Sequence, residues 1–201
     1  ETPLMWQEFK SRPIWASMMA HQADAAAFSK ALEGNEKAAR KLIASLSPKA
    51  HALAWRILGE SSEAEDIVQA AFIKLFEAKK YDGKSALSTY MHTIVTRLCF
   101  DKLRASASHK LDYGFEFDEL VSDGTSTPTE ALERKQSDSN VQHAMQFLNA
   151  RQRAALALWA YHDATISEIA KATGLEVNAA YQLLHRAKIN LRKKMEHLGY
   201  E

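Results

Sequence analysis

The chain has 201 residues, 46% of them apolar, which is enough for one or two compact domains with real cores. Its formal charge of +1 excludes a uniformly basic nucleic-acid binder, so any DNA-facing cations must be locally concentrated and offset elsewhere. A single cysteine, Cys99, excludes an internal disulfide and a thiolate cluster and fits a reducing cytoplasm; no apolar run approaches the roughly 18 residues that span a bilayer.

Glycine and proline are scarce (7 and 4), and helix formers dominate, so the expected fold is all-α. Residues 1–22 form an N-terminal extension in which Met5, Trp6, Phe9, Ile14, Trp15 and Met18 include helical spacings. The apolar run Pro13–Ala20 is short and bracketed by Arg12 and His21, so it reads as part of an amphipathic helix rather than a signal peptide. Helical periodicity then holds through 23–105, broken mainly at Gly34, Gly59 and Gly83.

Within that block, Ser62-Glu63-Ala64-Glu65 has the pattern of a capping box and predicts a helix through about Ala78. Ile67, Val68, Ala71, Phe72, Leu75 and Phe76 mark its buried face. Glu65, Asp66 and Gln69 stay off that stripe near the helix start, where acidic residues stabilise any helix by complementing its dipole. His92 and Cys99 could share a helix face, but two groups do not make a metal site. The expectation is a core cysteine and a surface histidine. There is no phosphate loop, no HExxH and no supported Ser/His/Asp grouping, so no catalytic residue, metal or cofactor is assigned and the chain is not read as an enzyme.

From 106 to 140 the periodicity fades. Asp112, Glu116, Asp118, Glu119, Asp123, Glu130, Glu133 and Asp138 outweigh Lys110, Arg134 and Lys135, and Gly-Thr-Ser-Thr-Pro-Thr occupies 124–129. Such a stretch buries poorly and reads as an acidic tether, with a short helix near 129–136. Periodicity returns in a second domain, 141–201.

That domain carries the sharpest local pattern. Thr165-Ile166-Ser167-Glu168 is a capping box; Ala170, Gly174, Leu175 and Ala180 follow at helix-turn-helix spacing, and a long helix begins near Val177. Val177, Ala180, Leu184, Ala187, Leu191 and Met195 form its apolar stripe. Arg186, Lys188, Arg192, Lys193 and Lys194 are the cations that a groove-entering helix needs at phosphates. The same residues also suit an ordinary helical hairpin whose basic end complements the helix dipole.

Gly59 with Ala64-Glu65-Asp66-Ile67-Val68-Gln69-Ala70-Ala71-Phe72 closely resembles region 2 of extracytoplasmic function (ECF) sigma factors of the sigma-70 family. Tyr81-Asp82-Gly83-Lys84, Thr89-Tyr90-Met91 and Leu98 to Arg104 resemble that family's −10 reader. Arg151-Gln152-Arg153, Glu168-Ile169-Ala170, Gly174 and Leu184-His185-Arg186-Ala187 resemble region 4. The resemblance runs through about 23–197 with the motifs in order. It implies two helical domains, region 2 and the region 4 helix-turn-helix, joined by an acidic linker. It also implies an alternative sigma factor that directs promoter recognition and transcription initiation.

By that resemblance, Glu65, Asp66 and Gln69 dock on core RNA polymerase. Tyr81, Asp82, Gly83, Lys84, Tyr90, Arg97, Lys102 and Arg104 read the −10 element of promoter DNA. Single-strand readers combine aromatic platforms with phosphate-holding cations, although Tyr90 and Phe100 also suit a core. Asn178, Tyr181, Gln182, His185, Arg186, Lys188, Arg192 and Lys193 face the −35 element, with Leu183 offering an apolar contact. An anti-sigma factor is the implied regulatory partner, with domains that reorient independently on the tether. No membrane insertion is expected, and the location is cytoplasmic.

The sequence also departs from the family pattern. Thr93 and Thr96 stand where cations are common, and Tyr181-Gln182-Leu183 replaces the usual Lys-Ser-Arg. Two other readings of the residues stay open. One is a helix-turn-helix regulator that binds duplex DNA without polymerase, against which the acidic 63–69 helix argues. The other is a helical interaction protein that has lost DNA binding, which the missing cations suggest.

Overall fold

The computed structural model describes residues 24–78, 81, 85–110 and 133–200. Among these the chain is all-α: α1 spans 24–32, α2 Glu36–Leu58, α3 Ser61–Glu77, α4 Leu87–Lys110, α5 Glu133–Met145, α6 Ala150–Tyr161, α7 Ile166–Thr173 and α8 Val177–His197. The N-terminal extension, Asp82, Gly83 and Lys84, and the Gly-Thr-Ser-Thr-Pro-Thr stretch lie outside the described residues. Both ends of the tether are helical: α4 runs on to Lys110, and α5 starts at Glu133.

In the first half α2, α3 and α4 pack on one another. Asn35 opens α2, its side chain accepting from the Ala38 amide at 3.0 Å. Gly59 closes it in the left-handed region (φ 88°), its amide donating to the Trp55 carbonyl at 2.7 Å. Pro48 sits inside α2, where it removes one helical hydrogen bond. Burial of Leu42, Leu46, Ala50 and Leu53 on the surrounding turns holds the helix together.

The start of α3 corrects the sequence expectation. Glu60, not Ser62, is the N-cap: its backbone is extended and its carboxylate accepts from the Ser62 and Glu63 amides at 3.2 and 3.3 Å. Ser62 lies inside the first turn, and its hydroxyl donates back to Glu60 at 2.6 Å. A rank of rings joins the helices: Phe28 stacks on Phe76 at 5.8 Å and meets Tyr81 edge-on at 6.0 Å. The Asp24 carboxylate accepts from the Leu87 amide at 3.3 Å, which ties the chain's first described helix to the start of α4.

The second half sets three short helices, α5, α6 and α7, against the long α8. Asn149 caps α6 by accepting from the Gln152 amide at 2.9 Å. The predicted capping box of α7 is present: the Thr165 hydroxyl accepts from the Glu168 amide, and the Glu168 carboxylate accepts from the Thr165 amide at 2.8 Å. Gly174 (φ 71°) turns α7 into α8, and α8 begins at Val177. Alanines dominate where these helices cross, with Ala154, Ala155, Ala157, Ala170, Ala172, Ala180 and Ala187 all buried.

The halves do not stand apart on their tether as expected. In the structure α2 packs on α6 and α4 on α7.

Candidate docking and nucleic-acid interfaces

The α3 stripe is buried as its spacing requires: Ile67, Ala71, Phe72 and Leu75 are inside, with Val68 and Phe76 packed at the margin. Glu65, Asp66 and Gln69 are consequently exposed on the far side. The Asp66 side chain is 74% exposed, which leaves its carboxylate available to an external cation. Lys102 of α4 sits beside this face, 3.4 Å from Glu63 and 4.0 Å from Asp66. Sequence reasoning placed Lys102 with the DNA-reading group; it also neutralises part of the acidic face.

The aromatic group resolves into two environments. Phe100 is buried and belongs to the core. Tyr81 and Tyr90 are half-buried with ring centroids 6.0 Å apart, and the Tyr81 hydroxyl donates to the Ser85 carbonyl. Arg97 and Arg104 are exposed on α4; Arg104 pairs with Asp101 at 3.5 Å. Thr93 and Thr96 are buried. His92 is buried too, contrary to the expected surface position, because His162 from the second half covers it at 4.3 Å between ring centroids. Cys99 is buried, and its surroundings push the thiol up, chiefly through desolvation. No group of three or more potential metal ligands occurs among the described residues.

On α8, Ala180, Leu184 and Ala187 are buried, while Asn178, Tyr181, Gln182, His185, Arg186, Arg192 and Lys193 are exposed. Two residues depart from the expected surface. Leu183 packs against the core instead of pointing outward. Lys188 is half-buried, with Nζ 3.4 Å from the centroid of the Trp159 ring, and desolvation lowers its pKa. It lines an apolar groove of about 350 Å³ with Val141, Met145, Leu156, Trp159 and Leu191. The groove has no periodic signature, since its walls come from α5, α6 and α8.

A helix-turn-helix, an exposed basic surface on α8 and an exposed acidic surface on α3 thus lie on one chain, and comparison with known proteins decides what they amount to. Residues 42–109 match the model of sigma-70 region 2, and residues 138–191 match that of sigma-70 region 4. The chain belongs to the sigma-70 family, in its ECF group.

The chain is similar to the ECF RNA polymerase sigma factor SigW of Bacillus subtilis, 25% identical over 178 residues, which cover 83% of this chain and 93% of that one. It is also similar to SigE of Mycolicibacterium smegmatis, 23% identical over 152 residues, covering 76% of this chain and 59% of the relative's length. Among solved structures, the sigma factor RpoE of Bartonella quintana, crystallised in complex with the anti-sigma factor NepR, has the same fold. Its TM-score is 0.60 at 19% identity, covering 78% of this chain and 96% of that one. As a member of this family the chain is an alternative sigma factor that directs promoter recognition and transcription initiation. Among its described residues no helix is long and apolar enough to cross a membrane.

Proposed function

We propose that the two functional surfaces are divided between the halves, with 23–105 acting as region 2, 106–140 as the linker and 141–201 as region 4. Glu65, Asp66 and Gln69 dock on a basic surface of core RNA polymerase. Tyr81, Tyr90, Arg97, Lys102 and Arg104, together with Asp82, Gly83 and Lys84, read the −10 element. Asn178, Tyr181, Gln182, His185 and Arg186 read the −35 element, and Arg192 and Lys193 hold phosphates. Lys188 is better suited to packing than to DNA, because its ammonium already lies over Trp159. An anti-sigma factor is the proposed inhibitor, supported by the relative solved with one. The protein itself performs no chemistry and acts in the cytoplasm, where polymerase and promoter meet.

The observation that carries the docking assignment is Asp66, an exposed carboxylate on a helix whose opposite face is wholly apolar. Asp66→Arg reverses its charge without touching the core. The expected outcome is loss of holoenzyme formation with core polymerase in gel filtration, with circular dichroism unchanged. A desolvated charge contact of this kind is worth roughly 2–5 kcal/mol. Unaltered association would remove the docking assignment.

A further inference from the structure

The halves meet along a seam that differs from either core. Thr89 of α4 donates to Glu168 of α7 at 3.0 Å, and Arg97 donates to the Lys171 carbonyl at 3.4 Å. Gln142 donates to the Trp55 carbonyl at 3.2 Å. The Arg56 guanidinium lies 3.3 Å from the centroid of Tyr161, and the His92 and His162 rings are in contact.

Arg56, Gln142, His92 and His162 are each left only partly satisfied. Buried atoms without a hydrogen-bond partner include Nε and Nη1 of Arg56, Nε2 of both histidines, Oε1 of Gln142 and Nε of Arg153. Native interiors leave few such atoms unpaired, because each destabilises the packed state relative to one in which water reaches it. Here they gather where the two halves touch. A permanent interface would be expected to pair them; an interface that opens hands them to solvent.

Geometry gives the opening a purpose, and this step rests on the proposed promoter reading. Elements centred near −10 and −35 lie about 25 base pairs apart, roughly 85 Å at ~3.4 Å per pair. A compact chain of this length has a radius of gyration of only about 16 Å. Halves in contact cannot occupy both elements at once. Arg97, assigned to the −10 element, is also engaged across the seam.

We infer that the packed arrangement is a self-closed state of the factor, and that protonation of the His92–His162 pair opens it. Closure buries both rings among positive charge. Burial, the facing imidazole and Lys49 of α2 hold His92 down to about 3. Burial, Arg56 and Lys49 of α2 hold His162 down to about 4, with Asp163 opposing them. On the remaining side, α7 presents Glu168 to Thr89 and the Lys171 carbonyl to Arg97.

The sign follows from proton uptake. In the open state each solvated ring titrates near its ordinary value of about 6.5, whereas in the closed state it stays neutral far below that. Closure is therefore unpenalised above about 6.5, and the penalty grows as pH falls toward 4 and then 3. Two such histidines shift the open-to-closed ratio about 100-fold between about pH 7.5 and about pH 5.5.

The test uses the full chain, alone in solution, with a fluorescent pair on Lys37→Cys and Glu196→Cys; both positions are exposed, and Cys99 is buried. Energy transfer should be high at neutral pH and fall on acidification, while circular dichroism stays helical. The double variant His92→Gln/His162→Gln should lose the pH response. Tyr161→Arg, which sets a cation against Arg56, should be open even at neutral pH. Transfer that ignores pH in the parent, an unchanged response in the double variant, or a closed Tyr161→Arg would each overturn the inference. Neither polymerase nor DNA is present, so closure can fail while the promoter assignment stands, and the reverse.

Discussion

The two halves of the chain solve one packing problem with different materials. The first buries large side chains between long helices: Leu53, Ile57, Leu75, Leu87 and Met91 are almost wholly inside, and a rank of rings from Phe28 to Tyr90 closes one end. The second relies on alanine where its helices cross, with Ala170 of the short α7 and Ala180 of the long α8 buried at the helix-turn-helix crossing. Large side chains supply apolar area, and small ones supply close approach. On the proposed division of roles, a half that docks on polymerase gains from a rigid base beneath α3, while a half that reads a groove gains from holding α7 tightly against α8.

That contrast predicts opposite sensitivities. Leu53→Ala should leave a cavity beneath α2 and cost about 2–5 kcal/mol. Ala180→Leu should overpack the helix-turn-helix and cost about 1–3 kcal/mol. Denaturant unfolding of the full chain measures both losses, and amide exchange locates them. The first should speed exchange in α2–α4 and the second in α7 and α8. If Ala180→Leu is silent, the crossing is looser than its burial implies.

A smaller effect probes the caps. Thr165 satisfies an orphan amide of α7, and Glu168 returns the favour to the Thr165 amide. Thr165→Ala should cost about 1 kcal/mol. The loss should appear in the second half alone, since α3 is capped by Glu60.

These caps show how far the sequence could be read. Thr165-x-x-Glu168 announced α7 correctly because the two residues are the whole device. Ser62-x-x-Glu65 has the same spelling, yet Glu60 lies two residues earlier with a longer side chain that reaches both free amides. The α3 stripe and the middle of the α8 stripe were legible because their periods report burial on a single helix; Val177, at the first turn of α8, was expected in that stripe and is exposed, since no helix among the described residues covers it there. Pro48 would argue against a continuous α2, but tertiary burial on the neighbouring turns overrides it. His92 and Lys188 are more buried than their spacing suggests for one common reason: the rings that cover them, His162 and Trp159, come from other helices, and spacing along one helix carries no record of those. The contact between halves was invisible on the same ground. An acidic tether says that the domains can separate, and nothing in it says that they also fit.

A contrast of the same kind recurs within α8, between two lysines that composition cannot tell apart. Lys193 is exposed, whereas Lys188 is half-buried over Trp159 at 3.4 Å. A phosphate contact releases a condensed counterion, so it contributes to the salt dependence of binding and little to base choice. A cation held on a ring contributes to packing, about 0.5–1 kcal/mol at a partly exposed site. Lys193→Ala should therefore weaken −35 binding for all sequences alike and lower the salt slope by about one unit. Lys188→Ala should leave the slope unchanged and reduce the thermal stability of the second half. Both are measured with the full chain on a randomised −35 library at several salt concentrations, alongside a melting curve. The exchange of these two outcomes, a lost salt slope for Lys188 and lost stability for Lys193, would mean that α8 meets DNA with the face now turned toward α6.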